Sequence, residues 1–129
     1  MIKEGVKAIK WFTDNGIKTN CTLVFSAAQA LLAAKAGAAM VSPFIGRIDD
    51  SNWDGVQLIQ QISHIYRIYD YRTEILAASI RSSLHIVKCA EAGAHIATAP
   101  LSSIQGLFAH PLTDIGLEKF LADHKKVNG

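Results

Sequence analysis

Arg47 and Arg81 each lie just past a short apolar run, Ala39 to Phe44 and Glu74 to Ser79, and Ser42 and Ser79 lie near the ends of those runs. A guanidinium offers paired donors that match two oxygens of a phosphate monoester, and hydroxyls add neutral donors. Thr22, in an earlier run from Lys18 to Phe25, could orient a water or a substrate hydroxyl. A plainer reading stays open. In it Arg47 pairs with Asp49 or Asp50, Arg81 is a solvated loop charge, and Thr22 is a satisfied core residue. Asp49 and Asp50 could form an acid/base pair, although adjacent loop carboxylates usually point apart. The five histidines show no metal spacing, and His64 and His85 read as helix-surface residues. Neither a glycine-rich phosphate loop nor a GxSxG elbow occurs. No metal and no cofactor are expected.

The elements that must position these side chains alternate between helix and strand. Lys3 to Asn15 has near-helical apolar spacing and stops at Asn15-Gly16. Lys18 to Phe25 reads as a strand, and Ser26 caps the helix Ala27 to Ala36, which ends at Gly37. Ala39 to Phe44 is apolar enough for a strand buried on both faces. Gly46 to Asp54 reads as a polar loop, with Asp54 capping a helix from Gly55 to Tyr69. There Val56, Ile59, Ile62, Tyr66 and Tyr69 form one stripe. Glu74 to Ser79 is the third strand, and Ser82 or Ser83 caps a helix to Ala92. His95 to Ala99 is the fourth strand, Pro100 opens a short helix to Ala109, and Thr113 caps a last helix through His124. The stretch Ala34 to Pro43 closely matches Ala90 to Pro100: helix, glycine stop, buried strand, proline.

Composition narrows the class. Of 129 residues, 50% are hydrophobic and 19% charged, which excludes disorder. The formal charge is +2 and no basic cluster exceeds Lys125-Lys126, so no nucleic-acid partner is expected. Cys21 and Cys89 are too isolated for a metal motif and read as reduced buried thiols of a cytoplasmic protein. The apolar run Ala27 to Ala34 falls far short of the ~18 residues of a membrane span. The N-terminal residues show no signal-peptide core.

Four strands alternating with helices make either a small doubly wound sheet or half of a (β/α)8 barrel, since a whole barrel takes ~200 residues or more. The half-barrel is the fold expected, as one domain over residues 1–129. Its strand edges would then need covering by another chain. In either fold ligands bind at the carboxyl ends of strands, where both arginines lie.

At these strand ends the wording becomes specific. Gly16 to Ala30, with the stretch Cys21-Thr22-Leu23-Val24-Phe25-Ser26, resembles the transaldolase family, in particular its small fructose-6-phosphate aldolase-like branch. So do the SPFxGRxDD motif of Ser42 to Asp50 and the AASxR motif of Ala77 to Arg81. The similarity runs from Gly5 to about Asp123. It implies the C-terminal half of a (β/α)8 TIM barrel, strands five to eight, in a Schiff-base enzyme that cleaves ketose phosphates or transfers a dihydroxyacetone unit. By position, the resemblance assigns the substrate phosphate to Arg47, Ser79 and Arg81, the catalytic water or proton relay to Thr22, and the pocket wall to Ser42. Phe44 stands where some aldolases carry a tyrosine.

The family's Schiff-base lysine sits in a KIPMT-like strand, and Met1 matches the methionine of that motif. The resemblance therefore implies that the lysine position precedes residue 1, and the polypeptide alone is expected to grip phosphate without forming the covalent adduct. The expected partners are a sugar phosphate or phosphate ion, and either a second copy or a complementing N-terminal half-barrel; no membrane partner is expected.

Overall fold

Capped helices and apolar strands alternate through the whole computed structural model, which describes residues 1–129. The elements are α1 (Lys3–Asp14), β1 (Asn20–Val24), α2 (Ala27–Ala36), β2 (Met40–Pro43), α3 (Ile45–Asp50), α4 (Gly55–Ile68), β3 (Glu74–Ala77), α5 (Ser83–Glu91), β4 (Ile96–Ala97), α6 (Leu101–Gln105) and α7 (Pro111–Asn128). Ser26, Asp54 and Ser82 each accept a hydrogen bond from a backbone N–H three residues on, so the expected caps form. The internal repeat also has a structural meaning. Gly37 and Gly93 both adopt left-handed backbone, φ +94° and +97°, and end helices ahead of strands. Only β2 is the buried strand expected; β4, at the sheet edge, has Ile96 half-buried and Ala97 exposed.

Two expectations are corrected. The supposed polar loop after β2 contains α3, because Ile45 and Ile48 turn into the core and hold that turn against the body. The last helix starts at Pro111 with His110 as its cap, not at Thr113; the His110 Nδ1 accepts from Leu112 N–H at 3.2 Å. Proline fits the first helical turn, where its missing N–H leaves no bond unmade.

All neighbouring strands are parallel, in the order β1-β2-β3-β4. Parallel crossovers are overwhelmingly right-handed, so a sequential order that never reverses places every helix on one face. This excludes the doubly wound alternative, in which the order reverses and helices cover both faces. The chain is a four-unit arc of a (β/α)8 barrel. Accordingly α2 packs on β1 and β2, and α4 on β2 and β3. Cys21, Val41 and Ile75, in register across three strands, are buried under those helices. On the other face Thr22 is exposed and Leu76 and Ile96 are half-buried. β1 and β4 are the edges of the sheet.

The core between sheet and helices centres on Val24, Val41, Ile45, Ile59, Ile62 and Ile75, all fully buried. Tyr66 reaches from α4 to donate its hydroxyl to Ala30 O of α2 at 2.7 Å; burial pushes its phenol far above the usual range. Of the α4 stripe, Ile59, Ile62 and Tyr66 are buried whereas Tyr69 is exposed. α7 buries none of its residues. No helix is long and apolar enough to cross a membrane.

Candidate anion-binding site at the carboxyl ends of the strands

Past β2 the chain is held between its neighbours. Phe44 N–H donates to Val24 O (3.1 Å), Ile45 N–H to Ala78 O (3.0 Å), and Ala78 N–H to Pro43 O (3.0 Å). These bonds seat α3 across the ends of β1 and β3, so Arg47 projects from a helix wedged between two strand termini. Its guanidinium carbon lies 5.0 Å from the Phe44 ring centroid, and Phe44 packs at 5.9 Å on Phe25 from the end of β1. A cation over an aromatic face is oriented without losing its charge, which leaves its N–H donors available to an anion.

After β3 the backbone turns sharply at Ser79, a non-glycine residue with φ +60°. Such left-handed backbone costs about 1 kcal/mol or more and persists only where the surroundings enforce it. Here the turn brings Ser79 O and the Arg81 side chain directly against Gly46. A Cβ on Gly46 would lie 2.1 Å from Ser79 O and 2.4 Å from Arg81 Nε. The glycine is therefore what lets the β3–α5 loop close on α3. Arg81 Nη2 donates to Asp50 Oδ2 at 2.5 Å, joining the loop to the last residue of α3.

The alternative pairings left open by the sequence resolve in an unexpected way: Asp50 pairs with Arg81, and Arg47 has no carboxylate partner. Asp49 and Asp50 lie on a helix rather than a loop, and each meets a different side chain of the segment after β3. Asp49 Oδ1 accepts from Gly55 N–H (2.8 Å), and its Oδ2 lies 3.0 Å from His85 Nε2. Arg47 lines a cavity of about 730 Å³ with Phe25, Ser26, Asp50 and Trp53. Arg81 lines a neighbouring one of about 590 Å³ with Asp49, Trp53, His85 and Lys88. Arg47, on α3, and Arg81, on the loop after β3, thus line separate neighbouring cavities, and Trp53 borders both. Ser79, half-buried, abuts Gly46 but lines neither cavity. Ser42 is buried on the strand face away from the helices, its Oγ donating to Asn20 Oδ1 at 2.9 Å, and Thr22 is exposed on β1. Neither lines the arginine cavities.

No lysine lies on a strand: they occur on α1, α2, α5 and α7, and Lys18 precedes the amino end of β1. No group of three or more His, Cys, Asp or Glu side chains is placed to hold a metal. Cys21 and Cys89 are free and buried. Burial, with a smaller contribution from Asp49, pushes the Cys89 thiol up to about 11. Gly46, Trp53 and His85 were not legible as site residues. For His85 a signal did exist: it stands three positions after a serine cap, the spacing at which a side chain turns back over the start of its own helix.

Comparison with known proteins agrees with this architecture. The family model described as transaldolase/fructose-6-phosphate aldolase matches residues 1–129. A protein of Cytophaga hutchinsonii named "Probable transaldolase" is 68% identical over 100% of this chain and 59% of its own length. One from Bacteroides thetaiotaomicron with the same name is 65% identical over 99% of this chain and 59% of its own. The chain thus spans about 59% of the length of these curated relatives. Among solved structures, a lactate oxidase of Pediococcus acidilactici superposes with a TM-score of 0.57 at 16% identity, covering 72% of this chain and 26% of its own. A mandelate oxidase gives 0.55 at 15%, covering 73% and 28%. At such identities the likeness speaks for the fold alone.

Proposed function

Because the chain belongs to the transaldolase/fructose-6-phosphate aldolase family, we propose that its carboxyl-end face grips the phosphate of a ketose phosphate during aldol cleavage or dihydroxyacetone transfer. The observation that carries this reading is that both guanidinium groups stand past the carboxyl ends of adjacent strands, one on an aromatic face and one laid over Gly46, in neighbouring cavities that share Trp53. Arg47 and Arg81 supply charge-assisted donors to the phosphate oxygens, and Ser79 stands at the turn that leads to Arg81. Phe44 and Ser42 form the wall and floor of the reacting end. Thr22, on the face turned away from the helices, places the water or relays the proton.

The covalent step needs an amine of lowered pKa in a desolvated site. Lysines on helix surfaces and at the amino end of the sheet lie on the wrong side for it. In this reading these 129 residues provide the phosphate grip, and the Schiff-base lysine comes from further strands that pair with the open edges of β1 and β4. A second reading, in which two copies of the chain pair and bind phosphate esters without turnover, is favoured by the same edges and by the half-buried Leu76 and Ile96 of the open face.

Titration of the chain with fructose 6-phosphate tests the grip. Arg47→Ala and Arg81→Ala are each expected to weaken binding at least tenfold, since hydrogen bonds to charged groups contribute roughly 1.5–3 kcal/mol. Wild-type affinity in both variants overturns it. Borohydride reduction with the same ligand is expected to leave the chain's mass unchanged, and a lysine adduct would refute the assignment of the amine to other strands. Sedimentation of the free chain separates the two readings, the second requiring a dimer.

A further inference from the structure

His85 stands at the third position of α5 and donates its own backbone N–H to the Ser82 cap at 3.2 Å. Its side chain is 11% exposed and both ring nitrogens are engaged. Nδ1 accepts from Arg81 N–H at 3.3 Å, and Nε2 faces Asp49 Oδ2 at 3.0 Å. A carboxylate only accepts, so Nε2 carries the hydrogen, and Nδ1 keeps its lone pair for the Arg81 amide. That pattern leaves neither ring nitrogen free to face a ligand.

Asp49 is held as firmly as it holds. Its other oxygen takes the N–H of Gly55, the first residue of α4. One chain of polar contacts therefore runs from α4 through Asp49 of α3 and the His85 ring to the main chain of Arg81. It parallels the side-chain link from Asp50 to Arg81. A side chain at this helical position ordinarily serves the N-cap amide of its own helix. His85 instead reaches the residue before the cap and, with its far nitrogen, a different helix.

We infer that His85 is a positioning residue for the anion grip, its imidazole bridging Asp49 and the Arg81 main chain so that the β3–α5 loop is locked against α3. The inference rests on the phosphate-grip reading and adds to it a cause: the Arg81 guanidinium can meet an anion in one place only if its own backbone is fixed. Loss of the bridge frees the loop, and the ligand must then supply the ordering that the imidazole supplied in advance.

Three variants separate the two arms. His85→Asn keeps an acceptor near Nδ1 and loses the reach to Asp49; His85→Gln keeps a donor near Nε2 and loses the acceptor; His85→Leu loses both. With inorganic phosphate as probe, His85→Leu is expected to weaken binding about three- to tenfold, the equivalent of one ordinary hydrogen bond. His85→Asn should recover part of that loss, because it retains the bond to the Arg81 amide. Phosphate affinity within twofold of wild type in all three variants, while Arg81→Ala loses it, overturns the positioning role and leaves the grip intact. Unchanged affinity in Arg81→Ala overturns both. Nitrogen NMR of the unmodified chain gives an answer that needs no variant to fold: His85 should show hydrogen on Nε2 and a bare Nδ1, and hydrogen on Nδ1 refutes the bridge.

Discussion

Replacing Gly46 with alanine sets a methyl group where the folded chain has no room for one. The new carbon would stand 2.1 Å from Ser79 O, 2.4 Å from Arg81 Nε and 3.0 Å from Arg81 Cγ. The arginine tip can swing aside, but the backbone carbonyl of a strained turn cannot, so α3 and the β3–α5 loop must separate by about 1 Å or distort. Overpacking of this kind costs about 1–3 kcal/mol. Against it, alanine recovers about 0.5–1 kcal/mol of helix propensity. A net loss of up to about 2.5 kcal/mol follows, and with a urea m value of about 2 kcal/mol/M the unfolding midpoint drops by up to roughly 1.2 M. Phosphate affinity should fall with it, because the displaced loop carries Arg81. Gly116 is the matched control, since a Cβ there meets nothing within 4 Å. Gly116→Ala gains the propensity alone, and because α7 buries no residue the gain should show as added helical signal in circular dichroism rather than as a shifted midpoint. If Gly46→Ala keeps both midpoint and affinity, the close approach of loop and helix is wrong and the proposed grip loses its geometric basis.

Three further perturbations test other parts of the structure. Tyr66→Phe removes the buried hydroxyl donor to Ala30 O. It should cost about 1 kcal/mol in urea unfolding, and no cost would show that the bond is not made. The Cys89 thiol titrates at about 11 in the fold against 9.0 for the free group. The unfolded chain therefore releases this proton first, and stability should decline as pH rises from about 9 towards 11, with Cys89→Ser flattening that decline. Deleting residues 111–129 removes a helix with no buried side chain. The unfolding free energy of the remainder should stay within about 0.5 kcal/mol of the whole chain's, and a larger fall would reveal packing by α7.

What the amino-acid order determined by itself is everything that depends on near neighbours in the chain. Serine and aspartate three residues ahead of a backbone N–H make the caps of α2, α4 and α5. Glycine at 37 and 93 stops two helices by taking backbone that other residues resist, and apolar runs between these stops become buried parallel strands. The tertiary structure alone decided matters that join distant residues. The stretch from Gly46 onward looks like loop by composition, yet two isoleucines buried against α4 and the strand ends make it helix. Arg81 finds Asp50 rather than remaining a solvated charge, and His85 finds Asp49, because the sheet order brings the ends of β2 and β3 side by side. Local patterns record what a residue needs from its own turn of chain. They do not record which partner a charge or an imidazole will meet once two strands have paired.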